Sequence, residues 1–373
     1  MTNNTAIQEN DERQTVNHRG AGRLILGARK NPFLLRGEPG VGKTAIAKWL
    51  SEVTGMPLVM LDVPNLDIAD VAMPIPNHET MTTAYYPNSI FRLEAGEPCI
   101  YCLDEYLKGS TAVQRMLHPM IEIGAPRVGS APLPEGSIVY MTSNLADDGV
   151  GDNILAHTQM RLTEIELAKP RAYDDKKNPE WLGWAKANGV HNLILAWVHR
   201  NPDCLASYRE SGQENNPYIF NPRIIGREGA CVTPRTLELA SNLIWARAEF
   251  TDDDLSAALS GTVGAAASAS MMNYIRHFDT LPNWEDIVSD PMGTELPEKS
   301  GALAVLVYGA LERYTTREEI GAFITYALRA EDDEFAFLYC SHLAREPKRQ
   351  AELTTCREYT NWCTENADFI RNI

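Results

Sequence analysis

The sequence predicts an α/β fold: a parallel sheet sandwiched by helices, followed by an all-helical C-terminal part. Three observations predict it. Short apolar runs alternate with helical periodicity up to about residue 169. The stretch Gly37-Glu38-Pro39-Gly40-Val41-Gly42-Lys43-Thr44 fits G-x-x-x-x-G-K-[ST], a phosphate-cradling loop set between a strand and a helix. Past Pro170 the period becomes that of helices, and no strand signal follows.

The elements follow in order. Residues 1–18 are polar and read as a disordered tail. Arg23 to Arg29 is a short helix or turn leading into the first strand, Pro32 to Arg36. After the glycine loop, Ala45 to Leu50 opens a helix with one apolar face. Leu58 to Val63 is a second strand, and residues 64–91 form a long connection rich in Pro, Asn and Thr. Ile100 to Leu103 is a buried strand ending in Asp104-Glu105. A helix over Ser110–Ile123 is capped by Ser110, and Gly124 to Gly136 is a Pro/Gly-rich excursion. Ser137 to Thr142 is a strand ending at Ser143-Asn144; Ile154–Arg161 is a short helix, and Leu162–Leu167 the last strand. Beyond it, helical spacing covers Trp181–Val198, Thr233 to about Phe250, Asp252 to about His277, and Ser300 onward.

Composition narrows the function classes. At 373 residues, 44% hydrophobic and 23% charged, the chain is an ordinary globular one with about two domains plus extras. A net charge of −16 and a pI near 5.0 weigh against a broad nucleic-acid footprint. No apolar run approaches the ~20 residues that span a membrane, and Met1 to Gln14 carries no apolar signal core. Seven scattered cysteines predict reduced thiols and a cytoplasmic setting. Cys99 and Cys102 have C-x-x-C spacing but sit in an apolar strand, so they read as buried small hydrophobes.

The chemistry-bearing positions lie at strand ends. Glycines let the loop backbone turn its N–H groups inward at a helix N-terminus, where anions bind. Lys43 would reach the β- and γ-phosphates, and the Thr44 hydroxyl would hold Mg²⁺. Ligands bind at the carboxyl ends of parallel strands. Asp104 there would hold Mg²⁺, usually through water, and Glu105 would polarise the attacking water as general base. Asn144, at the end of the next strand, could position that water. Thr233 reads as an N-cap and Pro234 as the first helical residue. Arg235 then falls in the first turn, where the helix dipole disfavours a cation. A phosphate partner explains it, with a solvated Arg as the other reading. Arg161, ahead of the last strand, fits either an arginine finger for a neighbouring subunit's phosphate or a plain surface residue.

Taken together, Gly37–Thr44, Ile100–Glu105, Thr142–Asn144, Arg161 and Thr233-Pro234-Arg235 resemble the AAA+ ATPases, and among them the MoxR-like branch of the AAA-5, dynein-related group. The resemblance covers about residues 20–290. It implies a P-loop NTPase core over 19–169, a helical lid with sensor 2 over 170–290, and a helical extension over 291–373. In family terms the positions are Walker A with Ala45 beside it, Walker B, sensor 1, arginine finger and sensor 2. The resemblance implies a ring, usually hexameric, with ATP and Mg²⁺ between subunits. Segment 64–91 lies where a helix-2 insert would, and Gly124–Gly136 where a pre-sensor hairpin would. The sequence departs from the family pattern at Leu145, where Pro often follows the sensor Asn, and at Gln159-Met160-Arg161-Leu162, which lacks Asp-Arg-Phe. Such proteins typically remodel a client with a von Willebrand factor A domain partner, which implies an ATP-driven chaperone. The rival expectations are a motor on nucleic acid, as in McrB-like relatives, and a nucleotide-sensing scaffold with little turnover.

Overall fold

The computed structural model describes residues 15–145, 156–176, 178–224, 229–278, 281–297, 300–330, 333–346 and 349–367. The chain divides between Pro170 and Arg171 into two compact units.

In the first unit the strands are, in chain order, β1 (Thr15–Val16), β2 (Phe33–Gly37), β3 (Leu58–Asp62), β4 (Ala72–Asn77), β5 (Thr82–Pro87), β6 (Ile100–Asp104), β7 (Arg127–Val128), β8 (Ala131–Pro132), β9 (Ile138–Asn144) and β10 (Thr163–Leu167). Its helices are α1 (His18–Gly27), α2 (Lys43–Thr54), α3 (Ile68–Val71), α4 (Thr111–Leu117) and α5 (Ala156–Gln159). Six strands form one parallel sheet in the order β1-β10-β2-β9-β6-β3.

Strand alternation sends side chains to two cores. Phe33, Leu35, Ile138 and Tyr140 pack with Ala21 and Ile25 of α1 and Ile46, Ala47 and Leu50 of α2. Leu34, Tyr101, Leu103 and Met141 face the other way, toward Val113 and Leu117 of α4. Both faces of β2, β6 and β9 are covered, which is why those strands read as near-continuous apolar runs. Cys99 and Cys102 are buried within these layers.

Several boundaries differ from the sequence expectation, each for a physical reason. Thr15–Val16, within the stretch read as a tail, pairs with β10, and Asn17 caps α1; residues 1–14 lie outside the described ones, as does Ile154. The helix expected over Ser110–Ile123 stops at Leu117 and continues as a 3-10 turn over His118–Ile121. Pro119 has no N–H for the ladder and crowds the preceding turn. The long connection contains a hairpin, β4–β5, with Pro74 and Pro76 on one strand. Its neighbour β7–β8 is also a hairpin. Ser130, in the β7–β8 turn, donates its N–H to Tyr85 O (2.9 Å) and accepts the Tyr85 N–H on Oγ (2.9 Å). Gly129, at φ +55, admits that approach: a Cβ there would lie 2.6 Å from Tyr85 O. Met73, Ile75, Tyr85 and Tyr86 remain exposed on this hairpin.

The second unit is helical: α6 (Trp181–Ala187), α7 (Asn192–Arg200), α8 (Pro234–Trp245), α9 (Asp252–Val263), α10 (Ala265–Phe278), α11 (Trp284–Ser289), α12 (Ser300–Arg313), α13 (Arg317–Ala327), α14 (Glu334–Leu343), α15 (Gln350–Thr355) and α16 (Arg357–Glu365). The expected helix over Trp181–Val198 is two, parted at Asn188-Gly189, and that over 252–277 is two, parted at Gly264. One hydrophobic core runs from Ala172 to Trp362, through both stretches that the sequence suggests are lid and extension. Among the described residues, no helix is long and apolar enough to cross a membrane.

Candidate functional site

β2 ends at Gly37 and α2 begins at Lys43; Glu38 to Gly42 is the loop between. Gly40 (φ +73) and Gly42 (φ +94) take left-handed backbone that a side chain would resist. Gly42 caps α2 without a side-chain hydrogen bond, so the first-turn N–H groups face the loop's hollow. Ala45 sits in that first turn, its N–H on Gly42 O at 3.0 Å.

Period-2 alternation brings the remaining groups to the same face. Gly37 pairs with Asn144, and Leu103 with Met141, so Asp104 and Thr142 fall side by side. Lys43 Nζ donates to Gly37 O (2.8 Å), Glu38 O (3.0 Å) and Asn144 Oδ1 (2.8 Å). The ammonium is thus buried at the loop's mouth and tied to the end of β9. Thr44 Oγ1 lies 3.5 Å from Asp104 Oδ2. Thr142 Oγ1 donates to Asp104 Oδ1 (2.5 Å) and accepts the Glu105 N–H (3.0 Å).

Glu105 has φ +51, an uncommon conformation outside glycine that costs about 1 kcal/mol or more. It turns the chain out of β6 and into a 3-10 turn over Tyr106–Lys108. Its Oε2 accepts from Lys108 Nζ at 2.6 Å. Beyond the motif, Glu38 is ion-paired to Lys169 (3.5 Å) and Val41 O meets His18 Nε2 (2.7 Å).

Lys43, Thr44, Asp104 and Asn144 therefore gather at the carboxyl ends of the interior strands β2, β9 and β6, with Glu105 next to Asp104. Arg161 is exposed in the turn after α5 and makes no ion pair or side-chain hydrogen bond among the described residues. Arg235 belongs to the second unit. Thr233 caps α8 by accepting the Thr236 N–H (3.1 Å), and Pro234 opens the helix. Arg235 is exposed in the first turn and, among the described residues, has no ion pair. Sequence reasoning placed Thr142 in the strand-end motif without a role of its own, and missed Lys108, His18 and Lys169. Thr142 had a signal: it stands two residues before Asn144, on the same face of a strand.

Residues 32–127 match the family model of the AAA domain, dynein-related subfamily. The AAA match spans the glycine loop, Asp104-Glu105 and the β4–β5 hairpin, and ends as β7 begins. No curated protein matches the sequence. Solved structures of similar shape include the RuvB Holliday junction branch migration motor of Thermotoga maritima (14% identity, 74% of this chain, 75% of that one, TM-score 0.32). A point mutant of RuvB from the same organism gives 13%, 73%, 75% and 0.33. NtrX from Brucella abortus in complex with ADP gives 11%, 86%, 64% and 0.37. Such scores are too low to carry the fold assignment, which rests on the AAA match and the strand order.

Proposed function

We propose that this chain is a Mg²⁺-dependent ATPase that hydrolyses the β–γ phosphoanhydride and uses the cycle to move a protein client. The observation that carries the reading is the convergence at the loop's mouth of two pairs, Lys43 on Asn144 and Thr44 beside Asp104.

A hydroxyl and a carboxylate facing each other are hard oxygen donors, the set that suits Mg²⁺. Thr44 Oγ1 and Asp104 would hold the cation. When bound, it neutralises charge on the β and γ oxygens. Lys43 trades loop carbonyls for phosphate oxygens as the nucleotide enters. Asn144, already on Lys43, keeps the ammonium beside the γ-phosphate and orients the attacking water. Glu105 takes that water's proton once its carboxylate leaves Lys108.

The assembly is part of the proposal. Arg161, exposed and without an ion pair among the described residues, suits a finger reaching a neighbouring subunit's nucleotide in a ring, and Arg235 suits a phosphate sensor on a helix start. The exposed Met73, Ile75, Tyr85 and Tyr86 of β4–β5 suit contact with a protein client, in concert with a von Willebrand factor A domain partner. Glu105→Gln tests the reading. It should bind ATP, lose hydrolysis by about 100-fold or more, and trap the ring in size-exclusion chromatography. Wild-type turnover in this variant overturns the base assignment.

A further inference from the structure

Two side chains from outside the glycine motif grip the phosphate loop. β1 and β10 run parallel, with Val16 paired to Leu167. His18 and Lys169 each follow that pair by two residues, so both emerge at one level beyond the strand ends. The Lys169–Glu38 pair lies almost wholly out of water, its side chains 4% and 7% exposed. His18 Nε2 meets Val41 O, which can only accept, so that nitrogen carries a proton. Burial lowers the His18 pKa in spite of this bond, which leaves the ring neutral at pH 7.

A carboxylate is out of place in a loop whose N–H groups point at an anion. A buried negative charge on this loop repels an anion bound by the loop. The Glu38 carbonyl is also one of the acceptors of Lys43, so any shift of Glu38 moves the loop's own lysine. At the far end, His18 fixes the Val41 carbonyl just before the turn into α2. A Cβ on Gly42 would stand 3.1 Å from His18 Nε2, so the ring also leans on that turn.

We infer that Lys169 and His18 are positioning residues of the phosphate loop: Lys169 cancels the Glu38 charge and His18 pins Val41, so that the loop is set to receive a triphosphate. The inference rests on the reading of the loop as a nucleotide site.

The test measures binding of a methylanthraniloyl-labelled ATP to the full chain, with inorganic pyrophosphate as competitor. Wild type comes first: if it binds neither probe, the nucleotide reading itself fails. Given binding, Lys169→Met should weaken both probes by about tenfold or more. Lys169→Arg should stay within about threefold of wild type, because the cation remains. The double variant Glu38→Gln/Lys169→Met should return to that range, a rescue that lost packing alone does not give. Unchanged affinity in Lys169→Met, or no rescue in the double variant, overturns the role of Lys169. Should Lys169→Met not fold, Glu38→Gln alone decides. It removes the loop's negative charge, keeps the Lys169 cation, and should tighten binding by about two- to fivefold; equal or weaker binding overturns the idea. His18→Ala should weaken both probes by about fivefold, and His18→Gln, which keeps a donor, by less. Equal binding by His18→Ala and wild type removes His18 from the device.

Discussion

Thr142 fixes two acidic residues with one hydroxyl. It donates to Asp104 and accepts from the Glu105 backbone, from the neighbouring strand. Thr142→Val keeps the shape and removes both bonds, which leaves a buried N–H and a carboxylate oxygen short of a partner, at about 1–3 kcal/mol each. The expected outcome is a kcat lower by about 10- to 100-fold with ATP affinity within about threefold, and recovery in Thr142→Ser. Steady-state hydrolysis beside equilibrium binding checks it; an unaltered kcat contradicts it. Thr142 also shows where sequence reading ends. Gly37–Thr44 and Asp104-Glu105 were legible because their spacing along the chain is itself the chemistry. Thr142, Lys169 and His18 act across strand register, through β6–β9 and β1–β10 pairing, and no spacing along one chain encodes that. Lys108 was hidden otherwise: its pairing needs the left-handed turn at Glu105, which nothing in the residue type announces.

At the scale of elements, the two hairpins depend on each other. A two-stranded ribbon is marginal alone, and Ser130 supplies β5 with an outside donor and acceptor at Tyr85. Gly129→Ala puts a Cβ into Tyr85 O and a side chain at φ +55. It should detach the ribbon while leaving the parallel sheet intact. Limited proteolysis should then cut within residues 72–87 at least several times faster than in wild type, with the thermal midpoint of the sheet little changed. Equal cleavage would show that the ribbon stands without β7–β8. The central strands β2, β6 and β9 were legible from apolar runs, since both their faces are buried, whereas two-residue β1 was not. The ribbon was not, because both its faces carry mixed residues and its prolines argue against a strand. Helix breaks at Pro119, Gly189 and Gly264 were present in the sequence, but apolar periodicity runs past them.

At the scale of the molecule, buried histidines make the stability of the helical unit depend on pH. Burial, with help from the Arg200 charge, pushes His199 down to about 4. Glu334 lies 3.5 Å from its Nε2 but is shared with Arg200, so it does not offset the burial. Burial likewise holds His342 well below the usual range, with Lys186 and Arg345 adding to it. Unfolded, both would titrate near 6.5. Their neutral forms therefore stabilise the fold fully above that pH, and the benefit is lost as pH falls toward 4. By pH 5 protonation of His199 costs roughly 2 kcal/mol. Urea unfolding followed by tryptophan fluorescence should show a lower midpoint at pH 5 than at pH 7, with a shallower difference in His199→Gln. All tryptophans but Trp49 lie past residue 170, so the signal reports this unit. A midpoint flat across that range would contradict the assignment. The prolines of β4 have a consequence of another kind. Tyr85 spends its N–H and C=O on Ser130, so the Tyr85–Pro74 and Thr83–Pro76 pairs turn their backbone groups outward. On the β4 side those outward positions have no N–H to give. A second molecule's strand finds no donors there to extend the ribbon. The chain can thus display methionine, isoleucine and tyrosine on an exposed ribbon and still resist stacking into fibres along that edge.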